Sequence, residues 1–314
     1  MKTFSLWCDF ISQEFIENKD FAKLLDKGLV KGATSNPSIF KNAILKANLS
    51  AKGSDAKALY ESYAISCIKA AAKELRPLYD ANSDDGYISL EIDPRLHANT
   101  NASLEEALRL AGEINEPNLM IKVPASKNSI PVMKELMAKG QSVNATLIFS
   151  LGQTKACLDA LEEGLEEFRN RSCGSSACAS KPEPKAVISV FVSRFDALLK
   201  NNEIGIANAT LCYKIIEERK NQSIRTLFAS TGVKDPSLDK AYYIDALAFA
   251  HSVNTAPLDA IEAVKSIKII EPDYARAQKV LDDTKDYSAA CDKLLADGLS
   301  SFEVAFADIL EAIK

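Results

Sequence analysis

Lys122 sits in the middle of NLMIKVPAS (118–126), where residues 119–123 otherwise read as a short apolar strand bounded by Asn118 and Pro124. An ammonium group is rarely buried without a partner. Strand parity supplies candidates, because successive side chains point to opposite faces. Lys122 opposes Leu119, Ile121 and Val123. In the run 86–92, Ser89 and Glu91 oppose Ile88, Leu90 and Ile92. In 143–149, Asn144 and Thr146 oppose Val143, Ala145 and Leu147. In 187–193, Ser189, Phe191 and Ser193 oppose Ile188, Val190 and Val192. In 5–9, Asp9 shares the face of Trp7, opposite Leu6 and Cys8. One reading satisfies every run: the aliphatic face packs on helices, and Asp9, Glu91, Lys122, Asn144, Thr146 and Ser189 converge on the other.

That set can do covalent carbonyl chemistry. Burial strips hydration from an ammonium group and favours the neutral amine, which attacks a carbonyl carbon. One carboxyl group can move the protons that a carbinolamine exchanges as it loses water, and a second can take a hydroxyl proton during carbon–carbon cleavage. The protonated imine is the electron sink, so neither a metal nor an organic cofactor is needed. Other readings stand beside this one. Lys122 could neutralise Glu91 or Asp9 as a structural ion pair, or hold a phosphate as a fixed charge. An isolated strand Asn or Thr can be a satisfied core group.

The elements that must position these residues alternate in type. Further strand-like runs are 31–35, 226–231 and 252–257. Helical patterns cover 55–75, 101–115, 126–140 and 152–170. The second of these carries Ser103 and Glu106 at capping-box spacing, and the third ends at Gly140. Strands alternating with helices predict a (β/α)8 barrel, although an open sheet shares the pattern. A barrel's active site lies at the C-terminal ends of its strands, where Asp9 and Asn36 fall. Residues 265–314 read as helices that cap or flank the barrel. With no Pro/Gly linker and no repeat, residues 1–314 form one expected domain.

Composition narrows the partners. The chain has 314 residues, 47% of them hydrophobic, and a net charge of −5 without a Lys/Arg cluster, which argues against nucleic acid. No apolar run reaches membrane-spanning length. The N-terminal residues carry no signal-peptide core, being interrupted by Asp9, Gln13 and Glu14. Seven scattered cysteines without CxxC spacing suggest reduced thiols and a cytoplasmic protein. Cys173 and Cys178 lie in NRSCGSSACASKPEP (170–184), which reads as an exposed loop without a catalytic role. His97 and His251 stand in unrelated contexts, so no histidine metal site is expected.

Several motifs occur in an order that resembles the transaldolase family: KGATSNPSIF (31–40), ISLEIDPRL (88–96), NLMIKVPAS (118–126), SVNATLIFS (142–150), VISVFVSRFD (187–196), FASTGVKDP (228–236) and SVNTAP (252–257). The resemblance spans most of the chain and is nearest to the longer branch of the family. It implies a (β/α)8 barrel that moves a dihydroxyacetone unit between sugar phosphates in the non-oxidative pentose phosphate pathway, without a cofactor. It makes Lys122 the Schiff-base lysine and Asp9 the base for the C4 hydroxyl proton. Glu91 and Thr146 resemble the pair that positions a proton-shuttling water. Asn36, Asn144 and Ser189 resemble ligands of the dihydroxyacetone hydroxyls. Arg194, Ser230 and Lys234 resemble a phosphate clamp, and Phe191 lines the substrate. Ser35 and Ala145 stand where Thr and Val or Leu are common, and the 170–185 stretch belongs to no motif. Shorter relatives that release free dihydroxyacetone tend to carry Tyr at Phe191 and Gln at Glu91, so both residues favour the transferase over a fructose-6-phosphate aldolase. A non-catalytic sugar-phosphate-binding barrel would not need to keep Lys122 and Asp9. Monomer and homodimer are both compatible with the sequence.

Overall fold

The computed structural model describes residues 3–47, 55–174 and 182–314. Eight parallel strands close into a barrel in chain order: β1 (Ser5–Cys8), β2 (Val30–Thr34), β3 (Ile88–Glu91), β4 (Leu119–Pro124), β5 (Ser142–Ile148), β6 (Ala186–Phe191), β7 (Ile224–Ala229) and β8 (Ser252–Ala256). Each falls within two residues of its expected bounds at the N-terminal side. The helices up to β5 are α1 (Gln13–Glu17), α2 (Asp20–Asp26), α3 (Pro37–Ala47), α4 (Ala56–Ala81), α5 (Thr100–Ile114) and α6 (Ile130–Ala138). Those that follow are α7 (Leu151–Gly174), α8 (Ser193–Leu199), α9 (Ile204–Glu218), α10 (Tyr242–Ala246), α11 (Leu258–Ala263), α12 (Tyr274–Asp282) and α13 (Tyr287–Ala312).

Parity sorts the strand residues as the barrel requires. Leu6, Ile88, Ile121, Val143, Ile188 and their neighbours join one large cluster beneath the helices. The inward faces are layered. Arg225 lies lowest on β7. Trp7, Met120, Val187, Leu227 and Val253 belong to a second apolar cluster. One inward position further along each strand stand Asp9, Lys122, Ser189, Ala229 and Thr255. The apolar layer thus forms a floor under the polar one.

Two local devices hold this floor. The Trp7 ring lies across Gly32, where a Cβ would come 2.6 Å from Trp7 Cε2, so only glycine fits. Below it, Arg225 closes the N-terminal end of the barrel. Its Nη2 donates to Ser5 Oγ and to the Ser252 carbonyl, both at 2.8 Å, and its Nη1 donates to the Asp84 carbonyl at 2.7 Å. Ser5 Oγ in turn donates to Asp85 Oδ1 at 2.6 Å. Burial pulls the Arg225 guanidinium below its ordinary value, with Asp85 and Asp84 acting against that.

The structure departs from the sequence pattern in several places. Leu147 has φ +58°, and the β5–β6 register shifts between Ala145 and Ile148. This bulge turns Leu147 away from the face of Val143 and Ala145 and into the second cluster. The cap of α5 is Asn99, whose side chain accepts from Ala102 N at 3.1 Å, and not a Ser103/Glu106 box. Ser103 Oγ instead donates to the Leu96 carbonyl, and Glu106 pairs with Arg109 and Lys57. Helix α7 runs to Gly174, so residues 170–174, Cys173 among them, are helical where the sequence reads as loop. Cys178 lies outside the described residues. Ser193 opens α8 and does not extend β6.

Helix α13 crosses the C-terminal end of the barrel, touching α3, α4, α8, β5 and the 3-10 turn at Pro94–Leu96. Glu303 on α13 meets His97 at 3.1 Å, and Arg95 stacks 4.8 Å from the Phe306 ring. Gly298 lets the helix approach: a Cβ there would lie 3.0 Å from Leu147 and 3.5 Å from Arg194. None of the described helices is long and apolar enough to cross a membrane.

Candidate active site

Register brings three of the expected residues side by side. Glu91 on β3 is opposite Lys122 on β4, and Lys122 is opposite Asn144 on β5. Lys122 Nζ donates to the Ser35 carbonyl at 3.1 Å and lies 3.9 Å from Glu91 Oε2. That spacing is an ion-pair contact, too long for a direct hydrogen bond. Burial pushes the Glu91 carboxyl up to about 7; Asp9 adds to this, while Lys122 and Arg194 pull against it. Such a carboxyl can both give and take a proton near neutrality.

Both Glu91 oxygens and Thr146 Oγ1 are buried without a hydrogen-bond partner. These three atoms have free hydrogen-bonding capacity beside Lys122. Asn144, by contrast, is engaged. Its Nδ2 donates to Ser89 Oγ at 3.0 Å, and its Oδ1 accepts from Ser189 Oγ at 2.6 Å. These two contacts hold the amide between β3 and β6.

Above this layer is a cavity of about 160 Å³, lined by Asp9, Asn36, Lys122, Ser189, Arg194 and Ser230, with Phe191 beside Arg194. Asn36 Oδ1 accepts from Ile39 N at 3.0 Å, capping α3 and aiming the residue into the cavity. The Arg194 guanidinium lies 5.2 Å from the centre of the Phe191 ring. Burial pulls its pKa down, with Asp297 and Glu91 opposing, and a guanidinium remains charged throughout. Ser230, at φ +55°, places its hydroxyl 3.0 Å from that of Ser193. The lining gathers a guanidinium, hydroxyls, the Lys122 amine and the Asp9 carboxyl, which suits a small anionic carbonyl compound; Glu91, Asn144 and Thr146 are not part of it.

Lys234 is not brought into this group; it is exposed on the loop after β7 and does not line the cavity. Thr34, Ser38, Thr255 and Phe302 do line it and were not singled out from sequence. Thr34 was findable, since it shares the parity of Gly32 and follows it into the strand end. Phe302 comes from α13, and no pattern in the strands points to it. Among the described residues, no group of three or more His, Cys, Asp or Glu is arranged to hold a metal ion.

The family model described as transaldolase/fructose-6-phosphate aldolase matches residues 6–313. The chain belongs to this family. A protein of Campylobacter jejuni (strain 81-176) named transaldolase is 50% identical over the full length of both chains. One of Helicobacter pylori (strain P12), also named transaldolase, is 42% identical over 99% of this chain and all of its own. Family members of this name are transferases acting through a lysine Schiff base, and the closed eight-stranded barrel is the architecture that the resemblance implied.

Proposed function

We propose that this chain is a transaldolase, passing a dihydroxyacetone unit from sedoheptulose 7-phosphate to glyceraldehyde 3-phosphate to give erythrose 4-phosphate and fructose 6-phosphate, within the non-oxidative pentose phosphate pathway. The observation that carries the reading is Lys122 Nζ at the barrel centre, 3.9 Å from a carboxyl that burial pushes up to about 7.

The groups divide the work by chemical type. The Lys122 amine adds to the ketose carbonyl carbon. Glu91, half protonated near neutrality, gives its proton to the departing hydroxyl, which leaves as water and forms the iminium. The Thr146 hydroxyl helps to hold the water that carries these protons. Asp9 accepts the C4 hydroxyl proton as the C3–C4 bond breaks, and those electrons pass into the iminium to give the enamine. The acceptor aldehyde then takes the reverse path. Asn36, Asn144 and Ser189 hold the dihydroxyacetone hydroxyls. Arg194 and Ser230 hold the phosphate.

The second reading is an aldolase that releases free dihydroxyacetone, since the family description covers both activities. The names of the two relatives, together with Glu91 and Phe191, support the transferase. The reading extends to a cytoplasmic monomer or homodimer whose partners are its sugar-phosphate substrates, supported by the free thiols of Cys8, Cys67, Cys157, Cys212 and Cys291. A coupled assay with fructose 6-phosphate decides between the two activities. Turnover that requires erythrose 4-phosphate is the transferase result, and equal turnover without it is the aldolase result.

A further inference from the structure

Asp9 is held by a short chain of hydroxyls whose direction can be deduced. Thr34 Oγ1 lies 2.6 Å from Asp9 Oδ1, and the same Thr34 oxygen lies 2.7 Å from Thr255 Oγ1. A carboxylate only accepts, so the Thr34 proton goes to Asp9. A hydroxyl has one proton, so the Thr34–Thr255 contact must be donated by Thr255. The order is therefore Thr255 to Thr34 to Asp9. Three neighbouring strands build it: β8 pairs with β1, and β1 pairs with β2. Both ends are pinned through the backbone. Asp9 N donates to the Ala256 carbonyl at 2.8 Å, and the Thr255 carbonyl accepts from Thr231 Oγ1 at 2.7 Å.

We propose that Thr255 and Thr34 form a one-way hydroxyl relay that positions the Asp9 carboxylate, fixing Oδ1 and leaving Oδ2 for the substrate hydroxyl. The inference rests on the reading of Asp9 as the cleavage base. Thr34 acts directly on Asp9 and Thr255 acts only through Thr34; both are positioning residues. Each hydroxyl in such a chain polarises the next, so the Thr255 proton strengthens the bond that Thr34 makes.

The test uses Thr34→Val, Thr255→Val, Thr255→Ser and the double valine variant, with Asp9→Asn as reference. The readouts are kcat and KM for fructose 6-phosphate with erythrose 4-phosphate, and the rate at which borohydride traps the imine. Removing a hydrogen bond to a charged group should make Thr34→Val about 10- to 100-fold slower in kcat. Removing the neutral link behind it should make Thr255→Val about 5-fold slower. Imine trapping and KM should be unchanged in both, Thr255→Ser should restore the rate, and the double variant should be no slower than Thr34→Val alone. Multiplying effects in the double variant, or a raised KM in Thr255→Val, would mean that the hydroxyls touch substrate independently, and the relay falls. Failure of serine to restore the rate also overturns it. The reference separates the two layers of the argument. If Asp9→Asn still cleaves, the assignment of the base is wrong. If it traps imine without cleaving while the threonine variants are normal, the relay alone is wrong.

Discussion

Replacing Glu91 by Gln should stabilise the protein in a strictly pH-dependent way while slowing imine formation. The carboxyl is displaced from 4.5 to about 7, chiefly by burial. The sign follows from where the proton sits. Between these values the folded protein keeps the Glu91 proton and the unfolded chain has lost it, so stability falls as pH rises through this window and levels off above 7. At 1.36 kcal/mol per tenfold change, the displacement is worth about 3 kcal/mol, of which about 2.5 kcal/mol emerges between pH 5 and pH 8. Glutamine does not titrate and is free of this loss. Urea unfolding of both proteins at the two pH values reads the difference. With a denaturant slope of roughly 3 kcal/mol/M or more, the midpoint gap should widen in favour of Glu91→Gln by up to ~1 M between pH 5 and pH 8. Borohydride trapping with fructose 6-phosphate should slow by about two to four orders of magnitude, the usual size of a lost general acid–base group. A midpoint gap independent of pH would refute the claim that burial holds this carboxyl near neutrality. Trapping at the original rate would remove Glu91 from the proton transfers.

Lys122→Arg keeps the charge and cannot form an imine at neutral pH, so it should fold, lose transfer by several orders of magnitude and yield no reduced adduct; peptide mapping that finds the adduct on another lysine in the unmodified protein contradicts the mechanism. Arg194→Ala should raise KM for phosphorylated sugars with little change in kcat, at a cost of about 2–4 kcal/mol, because a phosphate contact is present in ground and transition states alike; a collapsed kcat at constant KM places Arg194 in the chemistry. Gly32→Ala should destabilise the fold by roughly 1–3 kcal/mol or more through overpacking against Trp7, and near-native stability in thermal or urea unfolding counts against the close approach. EDTA should leave activity intact, and loss that a divalent ion restores contradicts the Schiff-base route.

The barrel was legible because its strands are buried on both faces, and the inward face changes from apolar to polar toward the active end. Lys122, Glu91 and Asn144 could be set on one face by counting alternate residues, and register then made them neighbours. Parity failed where the backbone broke it: Leu147 sits in a left-handed bulge, which no count of alternation anticipates. The α5 cap was misplaced because Asn99 and Ser103 are both capping types and only the observed hydrogen bond separates them. Thr34 and Thr255 were passed over because threonine is an ordinary strand residue, and their significance lies in a contact between residues 221 positions apart. Lys234 was carried by a motif alone, and the loop that bears it leaves the side chain in solvent. Arg194 and Ser230, from neighbouring motifs, both reach the cavity because β6 and β7 run in register up to Phe191 and Ala229.

The placement of α13 has a consequence for how such a protein can change. The groups proposed to make and break bonds stand on or at the ends of the barrel strands, whereas the wall completed by Phe302 belongs to a helix joined to the barrel by side-chain latches such as His97–Glu303 and Arg95–Phe306. Substitutions on that helix can reshape the entrance and the time a bound enamine spends shielded from water without altering an atom of the machinery below. Reactivity and selectivity are thereby written in separate parts of the chain, and each can drift under selection while the other stays fixed.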